Sequence, residues 1–177
     1  MEEDFKNLGT RIDKAKFEKG LKDKLITARK QALEGLQQGP HSVELVGCVN
    51  GVDYLNDSKS TFLDASLRTI STLESPVVWL MGTSLTVPNE DWFKDIMRKH
   101  VKAVVLFGKN GPRALERARS VFRFPYHMDD VRTATFLARE VAQNGDTVLF
   151  SPGCMSKPEY ANYEERGAAF KKAVKDL

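Results

Sequence analysis

Three apolar runs limit this chain more than any other feature: Val77–Met81 (VVWLM), Val101–Phe107 (VKAVVLF) and Asp146–Phe150 (DTVLF). Each has strand length; Val77–Met81 is apolar throughout, Val101–Phe107 at all positions but Lys102 and Asp146–Phe150 over Val148–Phe150, and runs of this kind need cover on both faces. Helical spacing fills the gaps. Leu63, Leu67 and Ile70 make one stripe, and Trp92, Phe93, Ile96 and Met97 a second. Leu115 and Ala118 follow Pro112, a good first-turn residue, and a weaker strand is expected at Phe122–Tyr126. Asp129-Asp130 caps a helix carrying Val131, Ala134, Ala138 and Val141, and Tyr163, Gly167, Phe170 and Val174 line the last helix. Upstream, Val43–Val49 and Val52–Asn56 read as a hairpin across Asn50-Gly51, two residues that tolerate positive φ. The pattern predicts an α/β fold: a mostly parallel sheet with an N-terminal β-hairpin and helices on both faces.

Residues 1–40 follow another rule. They hold nine Lys/Arg and seven Asp/Glu and have no strand-like run. Apolar residues at Phe5, Leu8, Ile12 and Ala15, then at Leu21, Leu25, Ala28, Ala32 and Leu36, step by three and four. That spacing predicts an amphipathic helical arm, broken at Gly9 and Gly20 and closed by Gly39-Pro40. Two roles fit it: packing on its own domain, or dimerisation and docking. Met1 and the charged arm favour a natural start. The expected division is an arm over 1–40 and an α/β domain over 41–177.

The whole sequence carries 27 Lys/Arg against 24 Asp/Glu, a net charge of +3, too mild for a nucleic-acid binder. No apolar run has membrane-spanning length and no leader pattern is present, so a cytoplasmic location without membrane contact is expected. Cys48 and Cys154 are too few for a disulfide framework, and no spacing suggests a metal site. His41, His100 and His127 are expected at the surface or as caps.

Ligands of open α/β sheets bind outside the carboxyl ends of the strands. The loops there are 57–61, 82–90, 108–112, 127–129 and 151–160. The first packs Asp57, Ser58, Lys59, Ser60 and Thr61 into one turn, and the last offers Ser151, Gly153, Ser156 and Lys157 ahead of a helix. Loop 82–90 adds hydroxyls and an exposed Leu85. Backbone N–H groups at two helix starts, with Lys59 and Lys157 beside them, suit a ligand bearing carboxylates. Local roles compete with this: Asp57 or Ser58 capping the helix near Phe62, Ser156 capping the last helix, Asn162 satisfying a buried backbone group. The sequence contains no G-x-x-x-x-G-K-[ST], no G-x-G-x-x-G and no Ser/Cys–His–Asp arrangement.

Four motifs together resemble one family. NDSKST (56–61) is similar to N-D-S-K-A-T-N, and DTVLFSPGCMS (146–156) to D-x-V-L-L-S-P-A-C-A-S. NYEERGAAFKKAV (162–174) is similar to N-F-E-x-R-G-x-x-F, and HSVE (41–44) stands for H-R-x-E. Residues 41–177 thus resemble the C-terminal domain of the Mur ligases, most closely the D-glutamate-adding branch. The resemblance implies a Rossmann-like three-layer domain that binds the incoming amino acid for peptidoglycan precursor synthesis. ATP and Mg would be held by a central P-loop domain, and none is expected for this chain alone. By motif, Lys59, Thr61, Ser156, Asn162 and Tyr163 would surround the carboxylates of D-glutamate or a similar dicarboxylate, and Asp57 would face the nucleotide. Ser42 replaces an Arg, and Leu85 a Lys that grips a carboxylate, a contact for which Lys157 is the compensating cation. Partners would be the N-terminal and central ligase domains, or a second copy through residues 1–40. The alternative is a relative without catalysis, acting as an interaction or small-ligand-binding module.

Overall fold

Strands β1 (Glu44–Val49) and β2 (Val52–Asn56) pair antiparallel, joined by Asn50 and Gly51 at φ 51° and 78°. Two successive positive φ values give the turn whose twist matches a hairpin. The computed structural model describes residues 39–109 and 111–177, together with Lys24, Thr27, Ala28, Gln31 and Gly35. Its chain divides into two units, residues 1–36 and 37–177. Of the first, the five described residues, Lys24, Thr27, Ala28, Gln31 and Gly35, are helical. The expected breaks at Gly9 and Gly20 lie outside the described residues.

The second unit continues with helix α1 (Leu63–Thr72), β3 (Val77–Gly82), α2 (Asp91–His100), β4 (Val101–Phe107), α3 (Gly111–Arg119), β5 (Pro125–Met128), α4 (Val131–Val141), β6 (Thr147–Phe150) and α5 (Tyr163–Lys175). The six strands lie in the order β1-β2-β6-β3-β4-β5, and every pairing after the first is parallel. The three apolar runs become the centre of the sheet. Every residue of β2, β3 and β6 is buried, whereas the outer strands β1 and β5 are partly open. Burial on both faces is what a parallel strand under two helical layers requires.

Alternation within the strands builds two cores. Val78, Leu80, Val105, Val148 and Phe150 face α4 and α5, where Phe150 stacks on Phe170 at 4.6 Å between ring centres. Opposite, Trp79 meets Phe122 edge-on, and Phe122 meets Phe93 of α2. Phe122 is therefore a core residue in a turn. The weak strand expected at Phe122–Tyr126 starts instead at Pro125, which as a first, edge-strand residue has no ladder donor to lose. Asp130 caps α4 through the Thr133 N–H at 2.9 Å, as expected. No helix among the described residues is long and apolar enough to cross a membrane.

Candidate functional site

Because β6 lies between β2 and β3, the turn after β2 and the loop after β6 are neighbours at the carboxyl edge. The Gly153 N–H donates to Ser60 O at 3.0 Å, and Asp57 N–H to Phe150 O at 2.8 Å. Asp57 completes the link. It is 2% exposed, and its Oδ2 accepts the hydroxyls of Ser60 (2.6 Å), Ser151 (2.8 Å) and Thr69 (3.0 Å). One carboxylate thus ties together the exits of β2 and β6 and the middle of α1. Burial raises its pKa above the usual carboxylate range, and the three hydroxyls and the Val43 N–H counter only part of that. Asp57 is buried, its Oδ2 turned to these three hydroxyls. It does not cap α1: the N-cap is Phe62, without a side-chain acceptor, so Ser58 does not cap it either.

A second knot covers the first. Asn56 Oδ1 accepts the Ser58 N–H, while its Nδ2 donates to Glu44 Oε2 at 3.0 Å and approaches His41 Nδ1 at 3.2 Å. An amide nitrogen only donates, so in that contact His41 Nδ1 is the acceptor. Ser58 Oγ lies 3.1 Å from the same Nδ1. His41 and Val43 hold φ at 63° and 51°, a costly conformation, and for β-branched Val43 a rare one. The strap returns bonds for it, with Lys59 N–H donating to His41 O and His41 N–H to Glu44 Oε2. Burial pushes the Glu44 carboxyl up, but the His41 N–H, the Asn56 amide and the Lys171 ammonium outweigh it, and the net position is below the usual range. Gly167 on α5 makes the fit possible: a Cβ there would stand 2.3 Å from both His41 Nδ1 and Ser58 Oγ. His41, expected at the surface or as a cap, is a half-buried junction.

The residues expected to hold a ligand distribute around these knots. Lys59 is exposed and Thr61 half-buried on the β2 side. Tyr163 is half-buried, its ring edge-on to the His41 imidazole at 6.0 Å, while Lys59 meets the same residue through its backbone N–H, which donates to His41 O. Ser156 is 8% exposed and lines a cavity with exposed Lys157. Asn162 is occupied locally: its Oδ1 caps α5 by accepting the Glu165 N–H at 2.8 Å, the role left open for Ser156. Leu85 is not exposed as expected. It is 8% exposed and packed under Gly153, where a Cβ would come within 2.8 Å of it.

The motif reading passed over Arg166, the residue before Gly167. It is 1% exposed, donating to Cys154 O at 2.8 Å and Ser58 O at 3.0 Å. Burial lowers its pKa. The signal lay in the spacing, since Arg166 falls on the buried face between Tyr163 and Phe170. Lys109, Arg113 and Arg117, from the loop after β4 and helix α3, line the same cavity as Ser156 and were also missed. Two arginines four apart on one helix, Arg113 and Arg117, were their mark in the sequence.

No family model matches the chain. Curated relatives do. The chain is 36% identical over 141 residues to a UDP-N-acetylmuramoylalanine–D-glutamate ligase of Caldanaerobacter subterraneus subsp. tengcongensis. It is 38% identical over 143 residues to the ligase of that name from Thermoanaerobacter sp. strain X514. Each match covers 77% of this chain but only 31% of the relative, so the chain spans about a third of the length of these proteins. Among solved structures, MurF from Acinetobacter baumannii superposes with a TM-score of 0.50 at 14% identity, over 80% of this chain and 31% of that one, a likeness of fold.

Proposed function

Since the α/β unit belongs to the Mur-ligase C-terminal-type domains, with its sequence relatives among the D-glutamate ligases, we propose that it is the amino-acid-binding domain of such a ligase. The carrying observation is the Asp57 knot, which locks the turn bearing Lys59 and Thr61 to the loop leading to Ser156. In this reading the Lys59 ammonium and the Thr61 and Ser156 hydroxyls take the carboxylates of D-glutamate, and Tyr163 walls the site beside His41. A cation and neutral donors on a rigid frame orient a dicarboxylate with little entropy left to lose. The full reaction would join that amino group to an activated acid in the presence of the other ligase domains.

In this reading ATP and Mg are held by a central P-loop domain, since the sequence given has no G-x-x-x-x-G-K-[ST] of its own, and this chain alone is not expected to catalyse. A second reading, a non-catalytic relative, is favoured by buried Leu85 where the resemblance expects a lysine.

Calorimetric titration with D-glutamate, with L-glutamate as control, tests the proposal. Binding of the D form that disappears in Lys59→Ala is the expected result. No heat and no thermal stabilisation at millimolar ligand favours the non-catalytic module.

A further inference from the structure

A cavity of about 380 Å³ opens outside the ends of β3 and β4, between the loop after β6 and helix α3. Five cationic side chains line it, Lys109, Arg113, Arg117, Lys157 and Arg166, against one carboxylate, Glu159. Exposed lysines and arginines are ordinary on a surface. Arg166 is not: it is 1% exposed, its Nε is buried without a hydrogen-bond partner, and it pairs with no carboxylate among the described residues. A buried guanidinium that donates to two neutral carbonyls and to the Cys154 sulfur at 4.0 Å, with no ion pair among the described residues, leaves a positive potential in the space it lines.

The surrounding backbone holds the other charges in place. His127 Nε2 lies 2.8 Å from Gly108 O, and its ring fills the place where Gly111 would carry a Cβ, which shapes the turn presenting Lys109 and Arg113. Arg117 donates to Thr83 O at 3.4 Å, at the end of β3. Glu159 answers a backbone group, accepting the Lys109 N–H at 3.0 Å. Even with its charge counted, the lining keeps four positive charges in excess.

We propose that this cavity binds a small anion carrying two or more phosphate or carboxylate charges. Guanidinium forks match both groups, and a singly charged ligand would leave most of the excess unanswered. The site shares Ser156 with the reading above but does not rest on it.

Calorimetry on the full chain with inorganic pyrophosphate, citrate and acetate tests this at low and moderate salt. Pyrophosphate or citrate should bind, acetate should not at the same concentration, and added salt should weaken binding. Binding of pyrophosphate alone identifies a phosphate ligand; binding of citrate alone, a polycarboxylate. Arg113→Glu with Arg117→Glu, both exposed, should lower affinity at least about tenfold. The control, Arg119→Glu with Arg123→Glu, makes the same charge change at exposed residues lining a different groove and should lower it less than about threefold. No heat with either polyanion, equal binding of acetate, or equal weakening by the two pairs overturns the proposal. Titrating D-glutamate into the same samples, with Lys59→Ala beside them, separates failure here from failure of the amino-acid site.

Discussion

Asp57 and Arg166 are both almost completely buried at the carboxyl edge of the sheet, and they are treated in opposite ways. The acid is surrounded by three hydroxyls that can turn their protons toward it, and burial moves it toward its neutral form. The base keeps an unanswered Nε and lines a cavity rich in its own sign. A buried charge that is satisfied locally ties structure together, whereas one left partly unanswered suits a site that awaits an anion. The amino-acid site proposed above therefore stands on the acid, and the polyanion site on the base.

Substitution should separate the two most widely. Asp57→Ala removes the acceptor shared by three hydroxyls, strands that of Ser60 and leaves Ser151 with Ser66 Oγ and Thr69 with the Ala65 carbonyl, and is expected to cost about 3 kcal/mol in urea unfolding. Arg166→Met gives up two carbonyl contacts but relieves a desolvated charge, so a net loss of about 1 kcal/mol is expected. Equal costs would break the comparison and make Arg166 a brace of the same rank as Asp57. Next in size is Gly167→Ala, whose methyl would collide with His41 and Ser58 at a cost of about 2 kcal/mol. Sharpened as a double-mutant cycle, that cost should shrink in a His41→Ala background, because the imidazole is half of the obstruction. An undiminished cost would place the clash on Ser58 alone.

The pH dependence sets Asp57 against a second acid, Glu44. Asp57 titrates higher in the folded chain than its unfolded value of 3.8, so the folded state holds the proton more tightly. Its contribution is fullest below that value and is lost as pH rises through the folded pKa. Glu44 titrates below its unfolded value of 4.5, so its contribution is present above that value and lost as pH falls through the folded pKa. Measured between pH 3 and 7, the stability of the chain relative to Asp57→Asn should fall with rising pH, and relative to Glu44→Gln it should rise. Slopes of the same sign would mean that one of the two knots is misassigned.

Much of this arrangement was legible in the residues, and the limits have physical reasons. The central strands could be placed because burial on two faces leaves a continuous apolar run, and Asn50-Gly51 marked the hairpin because few other pairs accept that turn. The strand at 125–128 was misplaced because an apolar Phe122 reads alike in an edge strand and in a turn over the second core. At the candidate site, the sequence placed loops 57–61 and 151–160 at the sheet edge, where they adjoin, but not the direction of each side chain. Five polar residues in one turn do not announce that Asp57 points inward while Lys59 points outward; that depends on Ser151 and Thr69, distant in sequence. The basic cavity was invisible for the same reason. Its charges come from three segments that only the β6-β3-β4 order brings together.

Asn162 offers the smallest and most discriminating effect. The motif counts it among the ligand-holding residues, while the structure spends its side-chain oxygen on the Glu165 N–H. Asn162→Ala should cost about 1 kcal/mol of stability through the lost cap, and Asn162→Ser, itself a good cap, only a few tenths. If capping is its whole role, D-glutamate affinity in the serine variant should stay within about twofold of the parent, a difference worth less than about 0.5 kcal/mol. A serine variant that keeps its melting temperature yet loses D-glutamate binding would return Asn162 to the ligand. The proposed site would then reach past Ser156 to the first turn of α5, on the side of the Asp57 knot, and the division drawn between the satisfied acid and the waiting base would still hold.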